Sequence, residues 1–476
     1  MKISDNLQKN IAALKKMLES DDVKFKEVKA GNKKGCLVFA SDVADKEALG
    51  TLIIRPLAAL KGNISEKTLS KTILSPETAT SSDINETAQK IVSGVSALFV
   101  EGINKAFLFG LKKFDKRAIA EPPTSTVIKG PREGFVESLA VNVSLMRRKL
   151  VSPDLCFKYL SVGKFSATQV AVCFINGIAD EKLVNTLTEK IKHINIDAIL
   201  DSSYISKFLG EHKTSLFKQI GNTEKPDILA AKILEGRVAI LVDGSPIALT
   251  VPYLLIEDFQ SPSDYYNSSY SATLARLIRL FAIILSLYLP AFYVAAQLFH
   301  LQYIPLSFLL TIVNSIKGIP LSPSFEMFFT LLIFEILNEA SVRMPRYVGM
   351  VVSIVGGLVL GETAVNAGII SAPALMIIAL SGICLYTVPE LIQTFSLIRL
   401  LLLVIGGSFG AFGLLISSAF LLTYLVSFEN YKTPLLAPFS PLITKDLKDG
   451  IYKGFMIEQS IRPLSLKNAN KRRIEK

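Results

Sequence analysis
Tryptophan is missing from the 476 residues, histidine occurs three times and cysteine four times. His193, His212 and His300 stand too far apart in sequence to suggest a zinc site. Cys36, Cys156, Cys173 and Cys384 show no CxxC spacing, the pattern of free thiols in a reducing compartment. No P-loop, no GxGxxG after a strand, no GxSxG and no HExxH occurs, so nothing points to an enzyme, a catalytic residue or a cofactor. Asp243-Gly244-Ser245-Pro246 offers a serine near a carboxylate, but its place in a hairpin makes it a turn. The opening MKISDNLQKNIAALKKMLES lacks an apolar stretch and a small-residue cleavage site. It predicts a polar amphipathic helix rather than a secretory signal, and a cytoplasmic location for the soluble part.

What is present is a change of solvent. Up to about Ser271 charges are mixed and apolar runs are short. From Leu274 to Phe428 apolar runs dominate, charges thin out, and prolines and glycines interrupt helix-like stretches. The expected architecture is a cytoplasmic α+β or α/β domain of two related subdomains, followed by an α-helical transmembrane domain of roughly four to six spans, some broken or re-entrant. The expected divisions are 1–120, a linker with a basic helix at 121–150, 151–270, the membrane domain 271–428 and a basic cytoplasmic tail 429–476. A net charge of +11 suits nucleic acid or an anionic membrane face. No nucleic-acid motif occurs and a membrane is already required, so lipid is the expected partner.

The soluble part repeats itself. Gly94-Val-Ser-Ala-Leu-Phe-Val-Glu-Gly102 matches Gly236-Arg-Val-Ala-Ile-Leu-Val-Asp-Gly244, and both predict a strand, a tight turn and a returning strand. Upstream, CLVFASDVADKEAL (36–49) resembles AVCFINGIADEKLV (171–184), a strand and turn leading to a helix that Asp45 or Asp180 can cap. Strand, helix and hairpin thus recur in one order, which points to duplication. Between the copies, Pro122, Pro123, Gly130 and Pro131 forbid regular structure. From Glu133, after Arg132, the spacing of Phe135, Leu139, Val143 and Met146 predicts a helix. Arg147, Arg148 and Lys149 then stand near its C-terminus, either as a charge cap or as a basic contact for lipid headgroups or a neighbouring subunit.

In the membrane half, Leu277–Phe299 is a first span, kinked at Pro290, with Arg276 and Arg279 marking its cytoplasmic end. Pro305–Ile316 is too short to cross. On Phe325–Val342, which also carries Glu326, residues Glu335, Asn338, Glu339 and Arg343 form one polar stripe. Two readings stand: an ion pathway or selectivity ring, and an interfacial helix with a solvated face. Val348–Ile370 carries a Gly357-Leu-Val-Leu-Gly361 packing pattern, and Glu362 followed by Asn366 is the alternative mark of a broken helix at a conduction or gating site. Pro373–Val388 and Leu397–Phe428 complete the set; the latter suits one tilted span or two half-helices hinged at Gly406, Gly407, Gly410 and Gly413. With both ends inside, the count must be even, and about four is favoured.

Four stretches carry a family resemblance: EPPTSTVIKGPREGFVESLAVNVSLMRRKL (121–150), VDGSPIALTVPYLLIEDFQSPSDYY (242–266), FEILNEASVRMP (334–345) and VSIVGGLVLGETAVNAGIISAP (352–373). Together they resemble the A subunit of GerA-type nutrient germinant receptors of spore-forming bacteria. The resemblance implies a multi-pass protein of the spore inner membrane that acts with a transporter-like B subunit and a lipoprotein C subunit. It also implies a homo-oligomer, a pentamer in the family's proposed form, that opens as a nutrient-gated cation channel. A SpoVAF-like amplifying channel and a non-conducting scaffold or signal transducer are the alternatives. Within 242–266 and just beyond, Asp243, Gly244, Pro246, Pro252, Gln260, Pro262, Asp264, Tyr265, Tyr266, Arg276 and Arg279 are the expected coupling between soluble domain and first span, with an acidic partner or a lipid phosphate expected at Arg279. Ser125, Thr126, Lys129 and Asn338 depart from the usual motif, as does Ser315-Ile-Lys-Gly-Ile-Pro320, which lacks the family's carboxylate. These changes bear on partner choice and pore charge.

Overall fold
The computed structural model describes residues 1–60, 62, 65–73, 75, 77–112, 129–344, 357, 359, 361–455 and 458–473. Pro122, Pro123 and most of 348–360 lie outside the described residues. The chain divides into two units. One holds Met1–Tyr253 with Asn430–Thr433 and Met456–Lys476; the other holds Leu254–Glu429 with Pro434–Phe455. The described residues beyond Phe428, expected as one basic tail, are shared between the two.

The first unit contains the same fold twice. β1 (Val23–Ala30), β2 (Lys33–Ala40), β3 (Thr78–Ser81), β4 (Ser96–Val100) and β5 (Ala106–Phe109) form a sheet of order β1-β2-β4-β5-β3. β6 (Leu155–Val162), β7 (Thr168–Ile175), β8 (Gly221–Thr223), β9 (Val238–Val242) and β10 (Ala248–Val251) form a second of order β6-β7-β9-β10-β8. Every pairing in the two sheets is antiparallel: hairpins join β1 to β2, β4 to β5, β6 to β7 and β9 to β10, while β3 and β8 cross to the far edges and pair with β5 and β10. Helices cover both faces of each sheet. Cys36, Val38, Ala97 and Phe99 pack under the Leu7–Met17 and Ile84–Val92 helices, while Leu37, Leu98 and Val100 face the Leu49–Ile54 and Arg55–Ala59 turns. Burial on both faces makes β2, β4, β7 and β9 read as unbroken apolar runs instead of alternating ones.

Asp45 and Asp180 cap the helices that follow β2 and β7, as their spacing predicts. The helix after the linker runs Leu139–Lys149, six residues later than Glu133, and buries Leu139, Val143 and Met146. Its late start has a local cause. The buried Asn142 amide accepts from Val136 N–H (2.9 Å) and donates to Val136 O (2.6 Å), holding 133–137 extended. Asn10 makes the same clamp on Ser4 in the first copy, at 2.9 and 2.6 Å.

In the second unit, two helices among the described residues are long and apolar enough to cross a membrane, Ser269–Phe299 and Pro389–Ser427. Leu306–Ile316 and Ala372–Leu385 are apolar but shorter, and Pro323–Arg343 carries the carboxylate stripe. The last long helix has one non-helical residue, Gly410 (φ 62°, ψ −153°), within the glycine stretch where one tilted span and two hinged half-helices were the alternatives. Gly406 and Gly407 instead admit close neighbours: a Cβ on Gly406 would lie 2.8 Å from Ala291 O, and one on Gly407 would lie 2.5 Å from Ser324 Oγ. Pro290 is buried inside the first long helix.

Candidate functional site
The segment leading into the Ser269–Phe299 helix is two short turns, Leu255–Phe259 and Pro262–Tyr265. Proline at the first position and Ser261 ahead of it suit the second turn. Ser261 N–H donates to Asp264 Oδ2 (3.1 Å), which fixes a buried carboxylate against the coming helix. About two and three turns into the helix, Arg276 and Arg279 face it. Arg279 grips Asp264 with two bonds of 2.7 and 2.8 Å, and Arg276 Nε adds a third of 3.2 Å. Arg276 also donates to Asp449 O, Gly450 O and Asp449 Oδ1 (2.8, 3.0 and 3.1 Å). Gln260 Nε2 donates to Asp449 O (2.6 Å), and Tyr265 OH lies 3.1 Å from both Gln260 Oε1 and Asp449 Oδ2. Lys453 and Arg276 lie 3.9 and 5.7 Å from the centre of the Tyr265 ring, within cation–π range. Burial opposes the charged form of Asp264, but the bonds from Arg279 and Ser261 and the two guanidinium charges outweigh it and hold the carboxyl below its ordinary range.

This cluster brings together Gln260, Pro262, Asp264, Tyr265, Arg276 and Arg279, with Tyr266 half-exposed beside it. Asp449 was missed from sequence. It lies in the basic tail, and the one signal for it is its place in an Asp446–Asp449 turn. Asp243, Gly244, Pro246 and Pro252 belong to the other unit. Asp243 Oδ1 accepts from Leu139 N–H (2.9 Å) and Gly244, at φ 86°, donates to Glu137 O (2.7 Å), so the hairpin turn caps the Leu139–Lys149 helix. Glu101 on Leu7 and Gly102 on Asp5 repeat these bonds in the first copy. Pro252 O accepts from the buried Arg237. Of the linker motif, Arg132 is exposed and Pro131 O accepts from Lys225 Nζ, beside Gly130 at φ 116°. Glu133 pairs with Arg148 and Lys149, and Arg147 is buried against Asp22, so partners inside the chain take up all three cations of the expected lipid or subunit contact.

A second cluster lies among the apolar helices. Arg399, fully buried in the last long helix, donates to Glu335 (2.5 Å) and to Ser381 Oγ (2.8 Å). Ser396 Oγ also donates to Glu335 (2.8 Å), and Ser381 Oγ passes a bond to Ser286 O (2.8 Å). Arg399 was missed from sequence, although a lone arginine within an apolar run is a signal that could have found it. Glu326, buried, accepts from Ser371 N–H (2.6 Å) at the start of the Ala372–Leu385 helix, where the dipole favours an anion. Glu339 and Arg343 pair with each other (2.6 Å) and stay exposed; Asn338 is half-buried and Glu362 exposed. The predicted stripe is therefore divided, with Glu335 directed to an internal cation and Glu339 and Arg343 left at the surface.

A duplicated, helix-covered unit is followed in the chain by one in which two helices are long and apolar enough to cross a membrane. Residues 11–465 match the family model "Bacillus/Clostridium GerA spore germination protein", and the chain belongs to that family. It is 33% identical to Spore germination protein KA of Bacillus subtilis (strain 168) over 98% of this chain and 88% of that one. It is 34% identical to the uncharacterized membrane protein YfkQ of the same strain, over 94% of this chain and 88% of that one. A solved structure, the N-terminal domain of the A subunit of the Bacillus megaterium spore germinant receptor GerK3, matches at 27% identity and a TM-score of 0.43, covering 54% of this chain and 98% of that one.

Proposed function
We propose that this spore germination protein acts as the A subunit of a nutrient germinant receptor. In this reading it is a multi-pass protein of the spore inner membrane, works with B and C subunits, and oligomerises into a gated cation channel. The observation that carries the reading is the polar chain Glu335–Arg399–Ser381–Ser286, which links four helices of the second unit. Charge at such depth is costly and is retained where it serves assembly, conduction or switching. The test is purified oligomer in liposomes loaded with a potassium-sensitive dye. Conduction predicts cation flux that a pore-opening substitution raises. Absence of flux from correctly assembled oligomers, with and without such substitutions, refutes the channel.

The runner-up is a non-conducting transducer. It is favoured by one feature: Arg399 neutralises Glu335 inside the chain, leaving Glu339 with its own Arg343 partner. A transducer predicts that Glu335→Gln alters nutrient response in spores while liposomes remain impermeable.

A further inference from the structure
The seam between the two copies in the first unit is one-sided. The loop Ser20–Asp22 of the first copy seats on the second copy's Leu139–Lys149 helix and on the outer edge of β6. Arg147 donates to Asp22 Oδ2 and Oδ1 (2.9 and 2.8 Å) and to Ser20 Oγ (3.1 Å), with its guanidinium 5.0 Å from the centre of the Phe157 ring. Phe157 N–H donates to Ser20 Oγ (2.8 Å), Asp21 N–H to Phe157 O (2.9 Å), and Tyr159 N–H to Asp21 Oδ2 (2.9 Å). An edge strand is thereby covered and a buried charge pair completed.

Each side of this seam has a duplicate that makes no second seam among the described residues; Ser152 O takes a bond from Arg147 (3.2 Å), but the Asp154 carboxylate is bonded only by Ser152 Oγ in this set. Ser152–Asp154 occupies, in the second copy, the place of Ser20–Asp22 between first helix and first strand, and Ser152 Oγ bonds Asp154 as Ser20 Oγ bonds Asp22. In the first copy Lys15 lies 5.5 Å from the centre of the Phe25 ring, as Arg147 does over Phe157. β1, like β6, has one sheet neighbour and so one open edge within its sheet. Asp154 and Lys15 are both exposed, and neither forms an ion pair among the described residues. The reciprocal contacts are not made among the described residues, so the seam is heterologous and leaves complementary halves at its two ends.

We propose that the Asp154 loop of one chain docks on the Lys15 and Phe25 edge of a second copy, head to tail, repeating between chains the seam that joins the copies within one. Opposite charges, Asp154 and Lys15, meet where Asp22 and Arg147 meet internally. Pro153 stands where Asp21 stands, so the two bonds that Asp21 makes are not repeated. The contact between chains is weaker than the internal one, as suits an assembly formed by association. The proposal rests on the oligomeric reading above and names its interface.

The test uses the full chain in detergent or nanodiscs. The four native cysteines are buried, so a Lys15→Cys/Asp154→Cys variant offers two reactive sites to a short bis-maleimide. A ladder of linked species is expected from the double variant and none from either single one. K15D or D154K alone is expected to lower the oligomer-to-monomer ratio about tenfold, and the K15D/D154K pair to restore it. Oligomers of normal size that fail to cross-link and ignore both reversals overturn this interface and leave the oligomer standing. Monomers at every concentration overturn both.

Discussion

Asp264→Asn is the sharpest probe of the junction. The carboxylate takes two bonds from Arg279 and one each from Arg276 and Ser261, all between 2.7 and 3.2 Å, and is almost fully buried. Asparagine keeps the shape and one acceptor oxygen, but sets an NH2 donor against guanidinium donors and removes the charge. Arg276 retains Asp449 and two carbonyls, whereas Arg279 retains only Phe259 O from this set. Stranding one partner of a buried pair costs about 3–5 kcal/mol. With those residual partners the lower end applies, about 3 kcal/mol, or roughly a hundredfold in an opening equilibrium. Amide hydrogen exchange read by mass spectrometry on the full chain should therefore show about a hundredfold loss of protection over residues 255–265 and the first turns of the following helix. Protection within about threefold of the parent would refute the brace. The parent should also lose this protection in acid. Because the folded carboxyl titrates below its unfolded value of about 3.9, its contribution is complete above that value and drains away as pH falls through the folded one. Asp264→Asn should show no such acid-dependent loss.

Glu335→Gln leaves the buried Arg399 with Ser381, at a cost of about 3 kcal/mol, seen as a lower aggregation temperature in detergent; Glu335→Gln with Arg399→Met should recover most of it. A double variant as unstable as the single would argue against the pair. Asn10→Ala and Asn142→Ala should each cost about 2 kcal/mol, since each frees a backbone N–H and C=O, and the two losses should add because the sites lie in different copies. Thermal unfolding of the single and double variants measures this. Glu339→Ala removes an exposed pair, so assembly should be unchanged while ion release from germinating spores shifts; unaltered release at normal membrane levels would make that stretch a solvated surface.

Legibility followed the range of the interactions. The two hairpins with their Glu101-Gly102 and Asp243-Gly244 turns, the Asp45 and Asp180 caps and the first long apolar helix were readable, because each is set within a few residues. What those turns do was not. Their carboxylates cap helices that begin 94 and 104 residues away, so no local pattern connects Glu101 with Leu7 or Asp243 with Leu139. The same limit hid Asp449 and the pairing of Arg399 with Glu335, 64 residues apart. The helix expected from Glu133 failed for a different reason: an apolar spacing of three and four continues into a segment that a side-chain amide holds extended. Along the last helix, glycines that admit Ala291 and Ser324 look, in sequence, like glycines that bend the chain, as Gly410 does.

The largest side chains buried almost completely are Arg147, Arg276 and Arg399, and their positions have one property in common. Each binds an acid from a different element: Asp22 ahead of the first sheet, Asp264 and Asp449 around the start of a long helix, and Glu335 on a neighbouring helix. Desolvating a guanidinium and a carboxylate consumes most of what their attraction returns, so such pairs are poor sources of net stability. They penalise every register in which the partner is absent. Apolar helices and sheet edges can slide against one another at little cost, whereas a stranded arginine cannot be accommodated. Each pair therefore selects one docked arrangement of elements that hydrophobic burial alone would leave loosely specified.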